Sequence, residues 1–177
     1  MGTINLRTAS GGSVILSPAN TAVDVTIIVP ASNATMAVNG PAFSAYLNSH
    51  QSITTSTATK ILFDTKVFDT NSNFASSRFT PTVAGYYQVN AALIAIATGT
   101  SITVCQCIIY KNGSFYIYGT DPRGLTLSST TSVASSLIYM NGSTDYLEVY
   151  AYITATAPIV YSGSASTTFQ ASMVRSA

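Results

Sequence analysis

One stretch limits what this chain can fold into more than any other: Phe79 to Ile96, FTPTVAGYYQVNAALIAI, a turn followed by a long apolar run. Pro81 fixes one backbone angle of the turn, and Gly85 offers a positive φ that a Cβ would oppose. Beyond it, Tyr87, Val89, Ala91, Leu93 and Ala95 form one alternating set, apolar throughout. Tyr86, Gln88, Asn90, Ala92, Ile94 and Ile96 form the other, polar at its start and apolar at its end. A strand of this pattern has one face in a core and part of the other against a further surface. Leu93, Ile94 and Ile96 would suit a buried helix equally well, but the preceding turn, the paired tyrosines and the Thr98-Gly99-Thr100 that follows favour a strand.

Short β-prone runs recur around this one from Pro41 onward. Candidate strands cover 42–47, 58–63, 66–69, 77–80, 86–97, 101–111, 114–118, 131–140, 145–154 and 167–174. Turns are expected at 71–73, 98–100, 112–113, 121–124 and 141–142; Asn112-Gly113 and Asn141-Gly142 are hairpin signals, because both residues tolerate positive φ. No stretch of ten or more residues has helical periodicity with recognisable caps. Residues 1–40 differ. Three short runs, around Ile4 and Leu6, Val14 to Leu16 and Val23 to Val29, are interrupted by Ser10-Gly11-Gly12-Ser13 and Pro18-Ala19-Asn20-Thr21. Strands so short bury no core alone, so this arm is expected to pair with other chains or with the domain that follows.

The 177 residues suffice for one domain with a real core. Charged residues are 7% of the chain, against about 25% in an average globular protein. Seven basic residues face six acidic ones, which gives no electrostatic case for nucleic acid or an anionic membrane. So few charges suit a protein whose outer faces are covered by copies of itself or by a larger assembly. The N-terminal Met1-Gly2-Thr3-Ile4-Asn5-Leu6-Arg7 has neither the basic start nor the apolar block of a secretory leader, and Leu6 stands where a myristoylation site needs Ser or Thr. No apolar run reaches membrane-spanning length, so no membrane insertion is expected. The sequons at Asn33, Asn112 and Asn141 read as turn chemistry.

The string Phe79-Thr80-x-x-Val83-x-Gly85-x-Tyr87-x-Val89 resembles the central signature of the C1q/TNF-like jelly roll, with Val89 in place of the usual Phe. Pro41-Ala42-Phe43-Ser44-Ala45 resembles that family's first strand, and Leu62-Phe63-Asp64-Thr65 with Asn71 its second segment. Ile109-Tyr110-Lys111-Asn112-Gly113 resembles its strand and turn, and Thr168-Phe169 through Val174 its closing strand, with Ala171 or Ser172 where a Gly is usual. The match runs in order over 41–177. The arm, from Leu6 to Val14 and Ser17 to Ala22, is similar to segments leading into the distal domains of phage fibre and appendage proteins.

This resemblance implies an all-β fold: an antiparallel jelly-roll β-sandwich over 41–177, preceded by an extended N-terminal β arm over 1–40. It further implies a homotrimer with one sheet's aromatic strands around the threefold axis, in a virion structural protein assembled in the host cytoplasm: a capsid decoration, head-fibre or tail-fibre-tip protein. Candidates for the trimer interface or core are Tyr86, Tyr87, Ile94, Ile96, Tyr110, Tyr146, Tyr150, Tyr152 and Phe169. Ile4, Leu6, Val14, Leu16, Val25 and Ile27 are the candidates for an arm that anchors the chain to other virion proteins or intertwines the trimer. The rival reading is a receptor-binding module for a host surface glycan or protein. A secreted C1q-like regulator is a third, without a leader or collagen repeat to support it.

No catalytic set assembles from the residues. Cys105 and Cys107 are two apart, so in a strand they share a face at a spacing ill-suited to a disulfide; with Ile109 they read as buried thiols. His50 is the sole histidine, which leaves metal binding short of ligands and a serine-histidine site without a nucleophile elbow. The acids Asp24, Asp64, Asp69, Asp121, Asp145 and Glu148 are scattered, and no loop holds the two that a calcium site would need. Asp145 and Glu148 are expected on opposite faces of one strand, not as a hydrolytic pair. Neither metal nor cofactor is expected. The eleven tyrosines are the more informative feature: Tyr146, Tyr150 and Tyr152 share one parity of a strand and Leu147, Val149 and Ala151 the other, so both faces can be buried.

Overall fold

The computed structural model describes residues 4–7, 13–16, 40–99 and 101–177, and the chain divides into two units, Met1–Met36 and Ala37–Ala177. In the first, β1 (Ile4–Arg7) pairs antiparallel with β2 (Ser13–Leu16), Ile4 opposite Leu16 and Leu6 opposite Val14. Two of the three strands expected in the arm are thus described, and they pair with each other. Val25, Ile27 and the third arm strand expected over 23–29 lie outside the described residues.

The second unit contains β3 (Ala42–Tyr46), β4 (Gln51–Ser52), β5 (Thr59–Lys60), β6 (Thr65–Asp69), β7 (Phe74–Ala75), β8 (Arg78–Phe79) and β9 (Gly85–Ala97). There follow β10 (Ile102–Lys111), β11 (Ser114–Tyr118), β12 (Arg123–Leu127), β13 (Ser129–Met140), β14 (Leu147–Thr154), β15 (Pro158–Val160) and β16 (Thr168–Ser176). The described residues include no helix. All described pairings are antiparallel, and they build two seven-stranded sheets. In the first, β13 covers one edge of β9 from Gly85 to Ile96, while β16 and then β15 share the other; β3 and β6 continue outward from β16, and β4 from β15. In the second, β14 and β10 form the centre, β11 and β12 share the far edge of β10, and β5, β8 and β7 lie beyond β14.

The sheets meet through the alternation that the sequence displays. Tyr87, Val89, Ala91, Leu93 and Ala95 of β9 point inward and are buried, facing Ile102, Cys105, Cys107 and Ile109 of β10 and Leu147, Val149, Ala151 and Ile153 of β14. One end of the core is aromatic. Phe43 stacks on Phe74 and Phe79 at 4.7 and 4.5 Å, Phe169 meets Phe43 edge-on at 4.9 Å, and Tyr87 meets Phe79 edge-on at 5.6 Å. The Tyr87 hydroxyl donates to the Val83 carbonyl oxygen at 2.7 Å, so the ring's polar end is satisfied inside the turn that precedes its strand.

Several local expectations need correction. Gly85 does not take a positive φ; it opens β9 where a Cβ would overlap the Arg175 carbonyl oxygen of β16. The strand expected over 58–63 is only Thr59–Lys60, because Ile61 and Phe63 turn into the core. The turn expected over 121–124 is cut short at Arg123, where β12 begins, since the open edge of β10 supplies a ladder that Arg123-Gly124 does not advertise. The turn expected over 71–73 leads into residues that are held inward. The Asp69 carboxylate accepts from the Asn73 and Phe74 amides at 2.9 and 3.0 Å, and Asn73, Phe74 and Ser77 are buried.

The two Asn-Gly dipeptides also part company. Asn112 and Gly113, with φ of 54° and 76°, join β10 to β11 as a two-residue hairpin turn. Asn141-Gly142 instead carries the chain from one sheet to the other, between β13 and β14. The Asn141 side-chain oxygen accepts from the amides of Ser143, Thr144 and Asp145, each at 3.0 Å. The strand expected from 145 therefore begins at Leu147, and Asp145 belongs to the crossing. Its carboxylate accepts from Asn112 Nδ2 at 2.8 Å and the Asn141 amide at 3.1 Å, with Lys111 Nζ at 2.9 Å.

Two predictions follow from this packing. Tyr87→Ala should destabilise the domain by about 3–5 kcal/mol in chemical denaturation and Tyr87→Phe by about 1 kcal/mol; losses under about 1 kcal/mol for the alanine would mean the ring is not the core element described. The second concerns acid. Burial raises the Asp145 pKa, but hydrogen bonds from Asn112, Lys111 and the Asn141 amide outweigh it and hold the carboxyl below its ordinary value. The unfolded chain then binds a proton at higher pH than the folded one, so this stabilisation is complete at neutral pH and is lost as pH falls below about 4. Asp145→Asn should reduce the stability at pH 7 and flatten its decline between about pH 4 and 2; an unchanged slope would contradict the assignment.

Candidate interaction faces

With the inward row of each strand spent on the core, the outward rows define two faces of different chemistry. On the first sheet, Tyr86 of β9, Val133, Leu137 and Tyr139 of β13 and Val174 of β16 each leave 43–55% of their surface open to water. The register explains their proximity: Tyr86 lies opposite Tyr139, with ring centroids 5.5 Å apart, and Leu137 lies opposite Gln88. Tyr86, Leu137, Val174, Arg175, Ser176 and Ala177 line a shallow hollow at one end of this face. A second hollow on the same sheet is lined by Ser44, Phe68, Gln88, Asn90, Gln170 and Ser172. Between the apolar parts runs a polar link, in which Gln88 Nε2 donates to Ser135 Oγ at 2.9 Å and Ser135 Oγ donates to Asn90 Oδ1 at 2.8 Å.

The second sheet's outer face is a row of rings. Tyr110 of β10 stacks on Tyr150 of β14 at 4.0 Å, meets Phe115 of β11 at 6.4 Å, and Phe115 meets Tyr118 at 5.9 Å. Beside them, Glu148 also points outward, yet its carboxylate is buried beneath Lys60 Nζ at 2.7 Å and Arg78 at 3.0 Å. The Arg78 guanidinium lies 3.8 Å from the centre of the Tyr146 ring. Burial raises the Glu148 pKa, but the hydrogen bonds and charges of Lys60 and Arg78 prevail and hold it below its ordinary value. It is a clamped structural carboxylate, not a proton donor or acceptor poised near neutral pH.

The sequence candidates therefore fall in three places. Tyr87 and Phe169 are core. Tyr86, Ile94 and Ile96 share the outer face of the first sheet, the two isoleucines half-buried. Tyr110, Tyr146, Tyr150 and Tyr152 are half-buried on the outer face of the other sheet, so they do not join Tyr86 around one surface. Leu137, Tyr139, Val133 and Val174 were not among the candidates. The alternation of Val133, Ser135, Leu137 and Tyr139 against Ala134, Ile138 and Met140 along β13 is the signal that reveals the first three.

The remaining reactive groups are occupied or buried. Cys105 and Cys107 are free thiols inside the core; burial pushes both pKa values up to about 12, with the Asp121 charge adding to the shift at Cys105. His50 Nδ1 accepts from the Ser162 amide at 3.1 Å and lies 2.8 Å from Ser162 Oγ, with its ring 4.4 Å from Tyr161. No three His, Cys, Asp or Glu side chains converge among the described residues in a way that could hold a metal ion.

No family model matches the sequence, and no curated protein matches it. Solved structures do resemble the fold. The globular domain of zebrafish complement 1qA is 13% identical over 77% of this chain and 99% of its own, with a TM-score of 0.54. Murine APRIL is 7% identical, covering 77% of this chain and all of its own, with a TM-score of 0.60. Eiger TNF from S. frugiperda is 7% identical, covering 78% of this chain and 96% of its own, with a TM-score of 0.58. At such identities it is the path of the chain that is shared, and by that measure the domain has the C1q/TNF jelly-roll fold.

Proposed function

We propose that this protein is a non-enzymatic, homotrimeric structural component of a bacteriophage particle, a capsid decoration or fibre-tip protein. In this reading residues 1–40 anchor it to other virion proteins, and the jelly-roll head projects outward. The observation that carries the trimer is the first sheet's outer face, where Tyr86, Val133, Leu137, Tyr139 and Val174 remain open to water in the single chain. An apolar face of this kind on a chain with 7% charged residues invites association. A closed ring of copies covers such a face without leaving a free one to propagate a filament. The particle assignment is supported by the resemblance of the arm to phage appendage segments and by the low charge. A host-receptor reading of the head is favoured by one observation: Phe115 and Tyr118 on the second sheet are open to water, and an assembly built on the first sheet would leave them so.

Light scattering of the full chain should give about three times the 18.5 kDa chain mass, and Leu137→Glu should shift it to the monomer with the fold retained by circular dichroism. A wild-type monomer at micromolar concentration would contradict the trimer. Deleting residues 1–40 should leave a folded trimeric head that no longer enters particles; normal occupancy of the truncated head would remove the anchoring role of the arm.

A further inference from the structure

On the basis of the homotrimer proposed above, we infer that a line of polar side chains across the first sheet sets how the copies align, while the apolar residues around it hold them together. The line is Ser135, Asn90, Gln170 and Ser44, on four neighbouring strands. Ser135 of β13 lies opposite Asn90 of β9, Asn90 opposite Gln170 of β16, and Gln170 opposite Ser44 of β3. With strands about 4.8 Å apart, it extends about 14 Å across the outer face. Apolar pairs flank it. Val133 lies opposite Ala92 on one side and Tyr139 opposite Tyr86 on the other, with Leu137 between Tyr139 and Ser135 on the same face of β13. A few polar groups within an apolar interface weaken the attraction between copies and restrict the alignments they accept.

Hydrogen bonding within the chain leaves this line incomplete. Ser135 Oγ accepts from Gln88 Nε2 at 2.9 Å and donates to Asn90 Oδ1 at 2.8 Å. The Asn90 Nδ2 hydrogens have no partner among the described residues, and the Gln170 side chain makes no hydrogen bond there at all. In the single chain both residues are open to water, which serves them instead. A copy that covers the face removes that water, so each amide then finds a group on the copy or stays unsatisfied, at a penalty that apolar contacts do not carry. Val133 and Leu137 tolerate a neighbour that is slightly displaced, because burial is non-directional. A hydrogen bond tolerates much less. A carboxamide both donates and accepts, so around a closed ring each one can donate to the next copy and accept from the one before. The hollow shared by Gln88, Asn90, Gln170 and Ser44, with Phe68 opposite Ser44 at its outer side, gives a neighbour's side chain room to enter.

Analytical ultracentrifugation of the full chain tests this with two variants that leave the inward rows untouched, each checked for folding by circular dichroism. The wild type should sediment as a single species of three chains. Asn90→Leu combined with Gln170→Leu enlarges the apolar face and removes its directional groups, so this variant should stay associated but spread over more than one size. Asn90→Asp keeps an oxygen for the Ser135 hydroxyl and exchanges the outward N–H groups for a charge. At pH 7 it should sediment as one chain, because like charges of the copies are brought together. A leucine variant that keeps a single three-chain species would overturn the inference. So would one that falls to the monomer, since the line would then supply affinity and not alignment. An Asn90→Asp variant that stays trimeric at pH 7 would overturn it too, by showing that Asn90 faces no other copy. A monomeric wild type is a different result: it removes the trimer itself, and with it the surface to be aligned.

Discussion

Tyr87, Val89, Ala91, Leu93 and Ala95 follow one another down one face of β9 with 1% or less of their surface left to water, and no single neighbouring strand could cover them. Satisfying that row requires a second sheet opposite it, and the residues that answer it, Cys105 to Ile109 on β10 and Leu147 to Ile153 on β14, carry the same two-residue period, with Ile102 joining them beyond a register shift. Each buried Leu, Ile or Val side chain contributes about 1.5–3 kcal/mol relative to exposure, so the whole register is fixed by a few such rows. A one-residue slip of β9 would bring Gln88 or Asn90 to the core position of Val89. The backbone of β9 is equally constrained, since β13 pairs with it on one edge while β16 and β15 share the other.

The edges of the two sheets approach each other where β11 gives way to β12 along the far edge of β10, and the ladder there is completed by other groups. The Cys107 amide donates to Ser132 Oγ of β13 at 2.8 Å, the Gly119 amide donates to the Cys107 carbonyl oxygen at 3.0 Å, and Ser132 Oγ donates to the Thr120 carbonyl oxygen at 2.7 Å. Ser132 is fully buried, so without it the Cys107 amide would lack a partner in a site closed to water. Gly119 is required by closeness alone, since a Cβ there would overlap the Val133 carbonyl oxygen. The sandwich is thereby tied along one side by a serine and a glycine that no core pattern would single out.

Features set by neighbours in the chain were legible in the sequence. The alternation of β9 and β14 and the positive-φ pair Asn112-Gly113 depend on local geometry, and the structure places them as the residues suggested. Asn141-Gly142 has the same local chemistry but crosses between sheets, because Asn141 is bound to the amides after it and Asp145 ties the crossing to Asn112. Nothing in two adjacent residues states which sheet the next strand joins. The candidate faces fail to be legible for the same reason. Parity shows that Tyr146, Tyr150 and Tyr152 share a side of β14, but only the sheet order shows that this side is opposite to Tyr86 and Tyr139. The strand β12 was hidden because Asp121-Pro122-Arg123-Gly124 reads as a turn, and its ladder is supplied by the distant edge of β10.

What remains outside the core is a pair of exposed faces, of which the proposed assembly covers one with copies of the chain and leaves the other to solvent. Hydroxyl-radical footprinting of the full-length protein in its native assembly distinguishes them residue by residue. Tyr86, Leu137 and Tyr139 should be protected although each leaves at least 43% of its surface open in the single chain, while Phe115 and Tyr118, open to a similar degree, should be oxidised at the rate of free side chains. Equal oxidation of both groups, or protection of Phe115 and Tyr118 with Leu137 and Tyr139 left open, would contradict the account.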